Sequence, residues 1–188
     1  MGYSLDDINF DGENLCWIAE LNSSLAVVTA SLVEFTNCAN LGHLQESEQK
    51  QTANKKEAKN EKGKTTKSAF TYDLMATGVL QQTGKSLVSY LSDGVKGKSY
   101  LLGKKQFVKG SGETQEIFML GNVTPQFDIK TPGAESSMQF EFTGFYPDSS
   151  VTFTSATIIS IETALSIAVV YSGDVVVTAT KGYEIYET

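Results

Sequence analysis

Arginine is missing altogether. All fifteen basic residues of this 188-residue chain are lysine, set against twenty-two acidic residues for a formal charge of −7. The planar guanidinium fork that reads guanine edges and clamps phosphates is therefore absent, and an acidic chain without it is a poor sequence reader of nucleic acid. Surrounding or repelling DNA is not excluded by that argument. Histidine is nearly absent too: His43 stands alone in "NLGHLQESE", close to Glu46 and Glu48. One histidine, no arginine and two cysteines leave few ways to build an activated nucleophile, and no local signature surrounds Cys38 that would pair it with His43. His43 reads as a solvent-facing or turn residue, and no enzyme is expected. Cys16 and Cys38 sit among apolar or small neighbours and read as buried small hydrophobes, with a disulfide left open. The start "MGYSLDDINF" has no basic or long apolar stretch, so no secretory signal is expected and synthesis in a cytosol is the default. The longest apolar run, "IISIETALSIAVVY", is broken by Glu162 and falls short of the ~20 residues of a bilayer span, so no membrane partner is expected. "GKKQFVKGSG" lacks both the spacing and the following helix of a phosphate-binding loop.

What is present is an ordinary globular composition, 40 % hydrophobic and 20 % charged, in a length that suits one domain over residues 1–188. Short runs alternate with period two and are rich in β-branched and aromatic residues, separated by Gly, Asn, Asp and Ser. They predict strands at 16–20, 26–35, 69–76, 98–107, 116–120, 123–131, 137–143, 151–161, 164–172, 175–180 and 183–187. Phe70, Tyr72 and Leu74 alternate against Thr71, Asp73 and Met75. After an Asn-containing turn, Val123, Pro125, Phe127 and Ile129 precede a Pro-Gly turn at 132–133 and then Met138, Phe140 and Phe142. Pro125 makes its strand an edge, or puts its missing N–H outside the ladder. The one helix predicted is "TGKSLVSYLSDG", with Leu87, Tyr90 and Leu91 on one face and Gly94 as a left-handed C-terminal stop. The fold class is all-β, an antiparallel sandwich or barrel with one short flanking helix, which plugs an end or an edge. The residues from 146 to 188 either complete the barrel or form an added β extension.

Metal chemistry finds only a half-match. Asp7, Asn9, Asp11 and Gly12 follow the first half of a calcium-loop pattern, yet the twelfth position is Ile18 and Glu20 comes two residues late. Residues 1–15 read as a polar N-terminal arm, and no metal or cofactor is expected. Asp6 with Asp7, and Glu46 with Glu48, read as solvated pairs.

The segment "KQTANKKEAKNEKGKTTK", residues 50–67, holds seven of the fifteen lysines and only two apolar residues, Ala53 and Ala58. With its turn-forming Lys62-Gly63, it reads as the tip of a long charged hairpin with stems near 43–50 and 64–75. A solvated arm of mixed charge inside a β domain suits a segment that orders against another subunit, where complementary charge sets register.

The order of elements carries a resemblance. A strand ending in "TNCANLGHLQESE", a charged hairpin with "NEKGK", the strand "SAFTYDLMATG", the helix "GKSLVSYLSDG", the strand "SYLLGKKQF" and then "LGNVTPQFDIKTPGAESSMQFEFTG" together resemble the major tail tube proteins of tailed bacteriophages, over residues 26–145. The inner tubes of contractile injection systems share the outline. The resemblance implies a virion structural protein made in the host cytoplasm. Its subunits would form homohexameric rings that stack into a tube, with other tail proteins such as tape measure, terminator or baseplate as partners. DNA would pass through the lumen without sequence-specific binding. The long loop, 46–67, would be the ring-stacking interface: Glu46, Glu48, Lys50, Lys55, Lys56, Glu57, Lys59, Glu61, Lys62, Gly63, Lys64 and Lys67. Two other readings stay open. One is a single-ring head-to-tail or baseplate adaptor. The other is a monomeric glycan or host-surface binding module, stacking sugars on Trp17, Tyr90, Tyr146, Tyr171, Tyr183 or Tyr186.

Overall fold

A computed structural model of the chain describes residues 15–21, 33–80, 90–108, 113–128, 137–167, 171 and 173–187. Nine strands are described: β1 (Leu15–Leu21), β2 (Val33–Lys59), β3 (Thr65–Leu80), β4 (Ser99–Val108), β5 (Glu113–Asp128), β6 (Ser137–Gly144), β7 (Val151–Phe153), β8 (Val175–Val177) and β9 (Tyr183–Glu187). A π-helical turn covers Tyr90–Gly94, and one α-helix, α1, spans Ser155–Ala164. The fold is all-β, as the alternation predicts, with one short α-helix among the described residues; of the helix predicted at 83–94, only the end at 90–94 is described.

Every pairing among the described strands is antiparallel. β1 lies between β2 and β4, β2 pairs onward with β3, β3 with β6, β6 with β5, and β5 returns to β4, so six strands close into a barrel. Closure removes the sheet edges that would otherwise invite foreign strands. β5 spans two walls: its first half pairs with β4 up to Gly121, and from Gly121 onward it pairs with β6. β9 joins the first half of β5 at 115–119, on the edge away from β4.

Alternation along the strands sorts apolar residues into two cores. One fills the barrel, with Cys16 and Ile18 from β1, Leu41 from β2, Leu74 from β3, Tyr100 and Leu102 from β4, Met119 from β5, and Phe140 and Phe142 from β6. Leu91 and Val95 join it from the π-helical turn and the bend after it. Tyr90 and Tyr100 hydroxyls hydrogen-bond there at 2.9 Å, and Lys98 donates to Glu20 at 2.9 Å. The other core lies on the opposite face of the same strands. Trp17, Ala19, Leu101, Phe118 and Leu120 meet Val151, Phe153, Ile158, Ile161, Val175 and Val177 from the C-terminal unit. At ~25 cal/mol per Å² of apolar surface, fully burying each large side chain contributes about 1.5–3 kcal/mol, so the second core holds the C-terminal unit against the barrel.

Four expectations are corrected. The strand predicted at 151–161 is β7 followed by α1, because Thr154 Oγ1 accepts from Thr157 N at 3.3 Å and caps a helix that buries Ile158, Ile161 and Glu162. The strand predicted from 164 is instead the end of α1 and a turn through Ser166 at a φ of 55°. The turn expected between 120 and 123 does not exist; β5 runs through it. A Cβ on Gly121 would lie 2.2 Å from the Thr143 carbonyl oxygen, so glycine is there for close approach of β6 rather than for bending. Gly94 does not take the left-handed conformation either; Gly97 does, at a φ of 70°, leading into β4.

Pro125 pairs across to Phe140 on β6, beyond the end of the β4 ladder, which is the edge its ring requires. The C-terminal residues add to the barrel rather than complete it: β9 pairs on β5 beside the six closed strands, while β7 and β8 form a separate two-stranded sheet. Expectations for residues 1–14, including Asp7, Asn9, Asp11 and Gly12, and for 26–32, 83–89, 129–133, 168–170 and 172 lie outside the described residues.

Candidate functional site

The charged segment forms a ribbon continuous with the barrel wall. β2 pairs with β1 only as far as His43, and β3 pairs with β6 only from Leu74 onward. Beyond Gln51 opposite Leu74, β2 and β3 pair, among the described residues, solely with one another, in register from Thr52 opposite Asp73 to Ala58 opposite Lys67. Residues 51–65 are exposed without exception. At the rise of an antiparallel strand, residues 51–59 carry the tip roughly 30 Å beyond the barrel.

The tip is built by Asn60. Its side-chain oxygen accepts from Lys62 N at 3.1 Å and Lys64 N at 2.9 Å, and its backbone exchanges hydrogen bonds with Gly63 and Lys64. Gly63 sits at a φ of 72°, which a side chain would strain. Along the ribbon, Lys55 ion-pairs with Glu57, Asn54 donates to Asp73, and Thr65 donates to Glu57 at 3.4 Å. Gln51 donates to the Tyr146 hydroxyl at 3.1 Å and ties the root to the segment after β6.

These contacts are surface contacts, each contributing from nothing to about 1 kcal/mol. A two-stranded ribbon without an apolar core is marginal in water, and ordering a residue costs about 1–2 kcal/mol in backbone entropy. A ribbon of this length is therefore suited to being covered. Its edges, open among the described residues, also carry the lysines that discourage indiscriminate strand pairing.

Of the twelve residues assigned to a stacking interface, Glu48, Lys50, Lys55, Lys56, Glu57, Lys59, Glu61, Lys62, Gly63 and Lys64 are exposed on the ribbon. Glu46 and Lys67 lie on β2 and β3, at its root and near its tip. Residues 50–67 hold seven lysines and two glutamates, which leaves eight lysines against twenty acidic residues for the rest of the chain. A basic arm on an acidic body is what charge pairing between copies requires, and this segregation is hidden by the overall charge.

The remaining candidates are dispersed. His43 stands within β2 opposite Leu15 rather than in a turn. Cys16 and Cys38 are not joined in a disulfide. Burial pushes Cys16 up to about 12, an effect that Lys104 opposes only partly, and pushes Cys38 up to about 11, so both are poor nucleophiles at neutral pH. Trp17 is 1 % exposed. Tyr90, Tyr146 and Tyr183 pack, partly buried, on the barrel core, and Tyr171 and Tyr186 on the other core. Among the described residues no three His, Cys, Asp or Glu side chains gather as metal ligands, and no helix is long and apolar enough to cross a membrane. No family model matches the chain, and no curated protein matches it significantly.

Proposed function

We propose that the chain is a structural, non-enzymatic subunit of a phage-type tail tube, assembling into hexameric rings that stack into a hollow conduit for DNA. The observation that carries this reading is the ribbon: a long two-stranded arm with open edges and a basic surplus, leaving a closed barrel whose remaining residues are acidic. The arm of one subunit would lie on the acidic body of a copy in the next ring, and the cover it lacks on its own would come from that neighbour. Lateral contacts would use β9, which has β5 on one edge only and exposes Ile185. An acidic lumen without arginine would keep phosphates from adhering during passage. The six-fold ring and the virion location come from the resemblance.

Negative-stain electron microscopy over a rising concentration series tests the assembly. Six-fold rings or hollow tubes are expected. Compact monomers at every concentration, even after seeding with partner proteins from the same source, would overturn the reading. Deleting residues 52–64 is expected to abolish stacking while leaving the barrel folded. Tubes formed as readily as by the intact chain would remove the arm from the interface.

A further inference from the structure

Beneath α1 lies a pair of carboxylates that the assembly reading does not use. Glu116 on β5 and Glu162 on α1 are both 0 % exposed. Glu116 follows the alternation of Phe118 and Leu120 and so faces the core that α1 covers. Neither of its carboxylate oxygens has a hydrogen-bond partner among the described residues. Charged and titratable groups face it from three elements: Lys105 stands opposite on β4, Tyr186 opposite on β9 with Glu184 two residues before it, and Glu162 acts on it from α1.

Two carboxylates in a dry interface cannot both ionise without a counter-charge. Lys105 lowers the proton affinity of Glu116, but burial raises it more and Glu162 adds to the rise. A divalent cation is the other way to neutralise such a pair, yet calcium takes six to eight oxygens, and no third acidic, histidine or cysteine ligand joins the pair among the described residues. The proton is the neutralising species that fits.

We infer that Glu116 and Glu162 form a proton-operated latch between the barrel and the C-terminal unit: a proton on Glu116 lets α1 seat on β5, and its loss sets the two carboxylates against each other and loosens the unit. The latch stands whether or not the chain builds tubes. Its sign follows from linkage. The folded protein holds this proton more tightly than the unfolded chain does, up to a midpoint of about 7 against an ordinary value of 4.5. Its stabilisation is thus full below the unfolded value, fades as pH rises between the two, and is gone above the folded midpoint.

The test compares the full chain with Glu116→Gln from pH 5 to pH 9. The glutamine keeps the shape but cannot ionise, and any penalty from burying its amide is independent of pH. The melting temperature of the variant relative to wild type should rise through pH 7 and then level off. Trp17, the chain's only tryptophan and part of the covered core, should shift its emission to the red over the same range in wild type and not in the variant. Carbon-13 NMR of wild-type carboxyl groups decides even if the variant does not fold. A Glu116 midpoint near 7, falling in Glu162→Gln, supports the latch. An ordinary midpoint near ~4.3, a stability difference that is flat with pH, or a transition moved by millimolar calcium or magnesium and restored by EDTA would overturn it.

Discussion

At the scale of single residues, the positions that set this fold are those where one atom too many would not fit. Gly121 is where β5 exchanges β4 for β6, with Tyr100 and Gly144 both opposite it. The carbonyl oxygen that a Cβ there would meet at 2.2 Å belongs to the backbone and cannot rotate away. Gly121→Ala should therefore lower stability by about 1–3 kcal/mol, the range for overpacking, read as a lower urea midpoint with an unchanged slope. Such roles are poorly legible in sequence, because "GN" between apolar runs has the chemistry of a turn and of a tight crossing alike. Glu116 illustrates the same limit: a glutamate in "ETQEIF" looks solvated until β4, β9 and α1 are known to cover it. The aromatics are more transparent. Core packing is the common fate of Tyr and Trp beside alternating apolar residues, and Trp17 and the tyrosines follow it.

At the scale of elements, local pattern succeeds where one face of a strand is buried and the other is not. β6 falls within a residue of its predicted bounds for that reason; β1 and β4, which are buried on both faces, and β9 fall equally close, marked by apolar residues between turn signals. The ribbon tip is readable from "NEKGK", since Asn and Gly at those positions have few other uses. α1 is not readable in the same way. Ile158, Ile159 and Ile161 carry high strand propensity, and the helix forms because capping and burial of its 158, 161 and 162 face outweigh it. The one signal for it is Thr154 followed three residues later by Thr157. Thr154→Ala should thus destabilise α1 by about 0.5–2 kcal/mol, seen as faster amide exchange in residues 155–164 with the barrel amides unchanged.

For the whole molecule, the separation of charge matters more than the total of −7. A basic arm meeting an acidic body is attracted over distances comparable to the Debye length, about 10 Å at 0.1 M salt. Assembly should therefore weaken as sodium chloride rises from ~0.05 to ~0.5 M, a tenfold span over which that length shrinks about threefold. Sedimentation velocity across the series would register the loss of large species. A sedimentation profile indifferent to salt would mean that apolar contacts alone hold the copies together.

The closed ring also fixes an order of events during synthesis. The hairpin of β2 and β3 joins neighbours in sequence and can zip as soon as both strands emerge. β1 must wait for β4, with Cys16 meeting Lys104, and the wall between β3 and β5 stays open until β6 is made, ending at Gly144. Pairings so distant along the chain close slowly. Throughout that interval the nascent chain displays unfilled strand edges next to a lysine-rich ribbon, whose like charges keep one unfinished copy from zipping onto another. On the assembly reading proposed above, the arm would thereby keep unfinished copies apart before any completed copy is present for it to cover.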